Sequence, residues 1–159
     1  MVRTKTASVI TILAVAVCAT VPLVARSQNA PETETRSLYE RLGGLAPISV
    51  VVSDFIDAMV PDSILNRNPA IDKARKLVPA PYLKYHVTAM VCQATGGPCQ
   101  YTGRGMKESH AHLNISEVDW DRMVEILKGV LAKHSVPEKE TSELMAIVES
   151  TKADIVKPK

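Results

Sequence analysis

The sequence predicts an all-α domain that begins near Ser37. Three observations carry that reading. Apolar residues recur at three- and four-residue steps, the breaks between runs fall at Gly and Pro, and no alternating strand pattern competes. The chain has 159 residues, enough for one ordinary domain, and contains no internal repeat.

The first stretch stands apart from that domain. Arg3 and Lys5 precede an almost wholly apolar run from Val9 to Ala25, and Ala25-Arg26-Ser27 offers small residues around a cut after Ser27. Basic start, apolar middle and small-residue exit describe a secretory signal peptide over residues 1–27. The competing reading is an uncleaved membrane anchor, but the run is short for a span and Pro22 interrupts it. An exported chain, periplasmic or secreted, is therefore expected, with membrane contact only if the leader is kept. Residues 28–36, QNAPETETR, form a polar lead-in, and residues 37–159 form the domain.

Removing the leader changes the charge. It holds Arg3, Lys5 and Arg26 and no acid, so the 19 basic residues fall to 16 against 17 acidic, a net charge of −1. That balance is not the basic footprint nucleic-acid binding needs. Of the three cysteines only Cys92 and Cys99 remain. In an exported protein such a pair points to a disulfide, with two buried free thiols as the alternative. No Cys-x-x-Cys-His motif for covalent haem attachment is present.

Within the domain, Leu38, Leu42 and Leu45 open the pattern, broken by Gly43-Gly44. Ile48, Val51, Val52, Phe55, Ile56 and Met59 mark a helix with a wide apolar face, ended by Pro61-Asp62. Residues 64–78 show no clear period, because Asn66, Asn68 and Pro69 break it. Leu83, Val87, Met90 and Val91 line a helix from Tyr82 to Ala94, stopped by Gly96-Gly97-Pro98. A loop from Tyr101 to Met106 leads to a short helix through His110. Ser116 is a good N-cap for a longer helix bearing Trp120, Met123, Leu127 and Leu131. Pro137 starts a last helix with Leu144, Ile147 and Val148 on one side.

Aromatic residues make up only 4% of the chain, little bulk for a helical core packed to native density. A large flat cofactor would fill the missing volume. The domain holds four histidines: His86, His110, His112 and His134. His86 and His110 fall on separate predicted helices, which is how a helical fold brackets a planar cofactor from both sides. The plainer reading is two surface histidines, and spacing alone leaves the choice open. Zinc would need three or four ligands, and neither cysteine completes such a set.

Four motifs in fixed order narrow the choice. LYERLGG at 38–44, GGPCQYTGRGM at 96–106, HAHLNIS at 110–116 and the VP at 136–137 resemble the corresponding segments of group I truncated haemoglobins, over Ser37 to about Val156. The resemblance implies a truncated 2-over-2 globin-like helical sandwich with non-covalent haem b. It makes His110 the proximal iron ligand. It also implies that Leu83, Val87 and Met90 face the distal side, with Tyr101, Met106, Ile115, Trp120, Met123 and Val148 around the ring.

The departures from the family pattern matter as much. The distal tyrosine many relatives carry falls on Ile56, the distal glutamine of some falls on Val87, and the usual bracing phenylalanine falls near Asn68-Pro69. The usual donors to a bound ligand are therefore missing. His86 matches the position from which some cyanobacterial members supply a second histidine to iron, and it is expected as the second ligand, with a place at the pocket mouth as the alternative. His112 is not expected to share the iron, since two residues along a helix turn about 200°.

The function implied is reversible binding of oxygen, nitric oxide, carbon monoxide or a similar diatomic. The alternative is one-electron transfer through bis-histidine haem, which would add a redox partner protein. A haem-free helical binding module is the third reading. No catalytic residues are assigned; a nitric oxide dioxygenase or other redox activity is left open.

Overall fold

The computed structural model describes residues 36–157, which form eight α-helices and one 3-10 turn, with no strand among them. The leader and nearly all of the polar lead-in lie outside the described residues.

Helix α1 (Leu38–Arg41) is only four residues long, too short to persist alone. It is held by a capping box, in which Ser37 Oγ accepts from the Glu40 N–H and the Glu40 carboxylate accepts from the Ser37 N–H at 2.8 Å. Arg41 then bonds Glu140 at 3.1 Å and pairs with Glu143. Gly43 and Gly44 follow with φ of +87° and +83°, a left-handed corner that a side chain would strain. The corner turns the chain into α2 (Leu45–Met59), which buries Ile48, Val52 and Ile56 at four-residue steps.

The stretch without a period resolves into two short elements. Asp62 accepts from the Ile64 and Leu65 N–H groups and starts a 3-10 turn over Leu65–Arg67. Asn68 then caps α3 (Pro69–Leu77), accepting from Ala70 N–H at 3.0 Å, with Pro69 at the first helical position. The Asn-Pro pair that reads as a break is thus a helix start.

Helix α4 (Ala80–Ala94) begins two residues earlier than the pattern indicated, because Pro81 is tolerated in the first turn. Cys92 in its last turn and Cys99 past its end stand with Cα atoms 5.8 Å apart, within disulfide reach. Helix α5 (Met106–His110) is a single turn and a half. Ser116 caps α6 (Glu117–Lys133) with a second capping box, closed by Asp119. Helix α7 (Glu138–Ser150) starts after Pro137, and α8 (Lys152–Ile155) is a final turn.

Helix α2 packs on α4 and on α6, α1 on α7, and α5 on α8. The core forms two clusters. Leu38, Leu127, Leu131 and Leu144 join α1, α6 and α7; Ile48, Val52 and Ile56 pack against Leu83 and Val87 of α4. Each such fully buried side chain contributes about 1.5–3 kcal/mol.

Candidate functional site

A cavity of about 840 Å³ opens between the α2–α4 pair and the α5–α6 side. It lies where the shortage of aromatic bulk leaves room. Its walls are largely hydrocarbon. All the site residues expected from sequence border it: Leu83, His86, Val87 and Met90 from α4, Tyr101 from the loop, Met106 and His110 from α5, Ile115 before α6, Trp120 and Met123 from α6, and Val148 from α7. Trp120 is 2% exposed and Ile115 8%, so the α6 side is a firm floor.

His110 is the last residue of α5. Its Nδ1 lies 2.8 Å from the Met106 carbonyl oxygen. A carbonyl only accepts, so Nδ1 carries the proton and Nε2 keeps its lone pair for an external acceptor of that pair. One backbone bond within a short helix therefore fixes both tautomer and ring orientation.

His86 is treated differently. It makes no hydrogen bond among the described residues. Three of the chain's four tyrosines gather around its ring: Tyr82 at 4.2 Å between centroids, Tyr85 at 5.1 Å edge-on and Tyr101 at 6.1 Å edge-on. Tyr101 is itself tethered, its hydroxyl donating to the Arg104 carbonyl at 2.9 Å and its N–H to Gln93 at 2.7 Å. The α2–α4 wall contributes Phe55, Ile56, Leu83, His86, Val87 and Met90. Of these only His86 carries a nitrogen or oxygen in its side chain.

The remaining two histidines take other places. Helix α5 ends at His110, so His112 lies in the following turn and not on a helical wheel. It is exposed and also borders the cavity. His134, given no role, closes the end of α6 and sits 2.8 Å from the Asp54 carboxylate of α2. Lys133 and His134 together hold Asp54 below the usual carboxylate range, with the Lys133 hydrogen bond the larger cause. Sequence also missed Asn66, Arg75, Arg104 and Ser109 on the cavity wall. They lie in segments whose polar residues follow no period, so nothing distinguished them from ordinary surface.

Among the described residues no three His, Cys, Asp or Glu side chains come together as a metal cage. Iron held by one or two histidines needs a macrocycle to supply its other donors, and a largely apolar cavity of this volume, bordered by both His86 and His110, has room for one. A bacterial-like globin family model matches residues 37–157. The chain belongs to the bacterial-like globin family.

Within that family it is a group 1 truncated haemoglobin. It is 29% identical over 121 residues to a group 1 truncated haemoglobin of Nostoc, covering 76% of this chain and 97% of the relative. It is 25% identical over 131 residues to one of Tetrahymena pyriformis, covering 80% and 98%. The crystal structure of the Tetrahymena pyriformis protein in its Fe(III) form superposes with a TM-score of 0.67 over 77% of this chain and all of that one, at 24% identity. The 2/2 haemoglobin of Synechococcus, in a cyanomet state with covalently attached haem, gives the same TM-score at 25% identity, covering 76% of this chain and 98% of that one. This globin is thus a haem-binding protein of the 2-over-2 fold, and its cofactor is haem b. Globins bind small diatomic ligands such as oxygen. Residues 1–36 lie outside the family match.

Proposed function

We propose that this globin acts outside the cytoplasm, that His110 holds the haem iron, and that His86 competes with a diatomic ligand for the opposite position. The observation that carries the reading is the pairing of two unlike histidines on one cavity: His110 oriented by the Met106 carbonyl, His86 set among tyrosine rings without a hydrogen bond among the described residues. Haem b would supply an iron able to take a protein nitrogen and a small ligand. The chain supplies the rest. Nε2 of His110 is presented to one face of the cavity. Trp120, Met123 and Ile115 exclude water from that side. On the other side Ile56 and Val87 give a bound ligand no hydrogen-bond donor, which leaves His86 as the polar group of that wall.

Export is supported by the leader-like residues 1–27, which precede the matched domain, and by the spacing of Cys92 and Cys99. A bond between them ties the end of α4 to the loop that carries Tyr101. Intact mass of non-reduced protein from its native compartment is expected to lack two hydrogens and residues 1–27. Two alkylatable thiols or a retained leader would remove that part of the reading.

The central test is the absorption spectrum of the reduced protein without added ligand. His86 on iron gives a six-coordinate low-spin spectrum that carbon monoxide converts. A five-coordinate high-spin spectrum removes His86 from the iron. A six-coordinate spectrum that carbon monoxide cannot displace favours electron transfer over ligand binding.

A further inference from the structure

We propose that the corner joining α3 to α4 is a docking surface for an anionic lipid bilayer, seating the mouth of the cavity against the membrane. The proposal does not rest on export or on the role of His86.

Large exposed hydrophobic side chains are not spread evenly over the described residues. They are Leu45, Val50, Leu77, Tyr82, Tyr85 and Val118, and three of these six fall within nine residues. Leu77 is 71% exposed, Tyr85 67% and Tyr82 57%. Between them runs Val78-Pro79-Ala80-Pro81, with both prolines exposed. The result is an exposed apolar corner with tyrosines on its flank, the side-chain chemistry found at membrane–water boundaries.

The backbone of this corner is unusually easy to take out of water. A helix start normally leaves four N–H groups unpaired. Here Pro79 and Pro81 have none, and the Tyr82 and Leu83 N–H groups both donate to the Pro79 carbonyl at 3.0 and 3.3 Å. The Val78 N–H is bonded to Ala74 at 2.9 Å. Among the described residues only the Ala80 N–H of that turn lacks a protein acceptor. Burying the corner in the headgroup region therefore strands a single donor, where an ordinary helix start would strand several.

The charge around the corner selects the lipid. From Lys73 to Lys107 the chain holds six basic residues and no acid: Lys73, Arg75, Lys76, Lys84, Arg104 and Lys107. The other described residues carry 9 basic against 15 acidic, so the asymmetry is a property of this stretch. Beside the corner itself stand Lys73, Arg75, Lys76 and Lys84; Asp72 pairs with Arg75 and Lys76, and Asp57 with Lys84, which leaves these six groups at +2. Basic side chains around an apolar tip fit an anionic bilayer, which attracts the first and admits the second. A protein partner would need a matching concave acidic surface.

The location gives the contact a use. Val78, Tyr82 and Leu83 border the cavity, so the corner forms part of its rim. Diatomic ligands are apolar and concentrate in hydrocarbon. Docking here would place the opening beside that reservoir.

The test is co-sedimentation of haem-loaded protein with vesicles of phosphatidylcholine alone and of phosphatidylcholine with phosphatidylglycerol. Every variant should show the same leader state by intact mass. Binding to the anionic vesicles is expected, with little to the neutral ones. Leu77→Ser, which removes only the apolar tip, should weaken the partition constant about tenfold. Lys73→Glu should weaken it several-fold and flatten its salt dependence. Neither residue lines the cavity, so both variants should keep the haem spectrum, which also reports that they fold. The proposal is overturned by absence of binding to the anionic vesicles. It is equally overturned if Leu77→Ser binds as the unmodified protein does, since adsorption is then the work of the leader or of charge alone. Retention on an acidic protein without vesicle binding would assign the face to a protein partner and overturn it too.

Discussion

On the α5 side of the cavity an imidazole is fixed by a hydrogen bond, the His110 Nδ1–H donating to Met106 at 2.8 Å. On the α4 side the imidazole of His86 has no such bond among the described residues and is flanked by tyrosine rings. The supporting elements are unlike as well. His110 rides on a five-residue helix, while His86 sits on a fifteen-residue helix packed along α2. A directional bond locks a ring to one orientation, whereas ring contacts restrict it and leave rotation open. The short element therefore carries the fixed group and the long element carries the movable one. Helix length and side-chain order are independent quantities.

The largest effect that would break this contrast is at the fixed side. His110→Ala is expected to lose most of its haem during purification, read from the ratio of haem to protein absorbance; full retention with an unchanged spectrum would make the two sides equivalent. Next comes His86→Leu, which should leave the reduced protein five-coordinate. Carbon monoxide should then bind faster by the inverse of the open fraction in the unmodified protein. An unchanged rate would mean that His86 never occupied the site.

The Cys92–Cys99 pair offers a third probe, since a bond between the two would anchor the loop of Tyr101. Replacing both by Ser should cost about 2–3 kcal/mol in urea unfolding of protein from the oxidising compartment, and reduction of the unmodified protein should cost the same. Equal stabilities would argue for two free thiols. Tyr82→Leu should change the open fraction of His86 only a few-fold, the range expected from one aromatic contact of about 0.5–1.5 kcal/mol. Stopped-flow ligand binding measures it.

The smallest expected effect lies away from both histidines and serves as a reference. Arg122 bonds Asp62 at 2.8 Å and holds its carboxyl below the usual range. A lowered folded pKa gives stability that is present above the ordinary aspartate value near 3.9 and is lost as pH falls through the folded value. Arg122→Ala should therefore be slightly less stable at pH 7, and the gap should close on acidification below about pH 4. A gap that widens with acid would reverse the sign and refute the pairing.

Much of this was legible in the sequence where a repeated signal existed. The four-residue steps of Ile48, Val52 and Ile56 announced α2, and Ser116 announced α6 three residues ahead of its capping Asp119. Helix α3 was not legible, because Asn68-Pro69 reads equally as a break and as a cap, and only the Asn68 contact with Ala70 decides which. No residue of α3 is buried, so no apolar stripe announced it either. Leu83, Val87 and Met90 could be placed on one face from their spacing. The tyrosine enclosure of His86 could not, since Tyr101 reaches it from a loop whose course depends on the Gln93 contact. His112 shows the same limit: a helical turn was assumed where the helix had already stopped.

The far end of the described chain has a consequence for the order in which the protein is assembled. Helix α8 packs on α5, and the Lys157 N–H donates to the Ile115 carbonyl at 3.0 Å, just after the turn that carries His112. The seat of His110 is therefore completed by residues more than forty positions later. During synthesis α2 and α4 can form while α5 still lacks its backing. A cofactor arriving early would meet one wall only. The wall that carries His110 thus gains its backing only when the last helix is available.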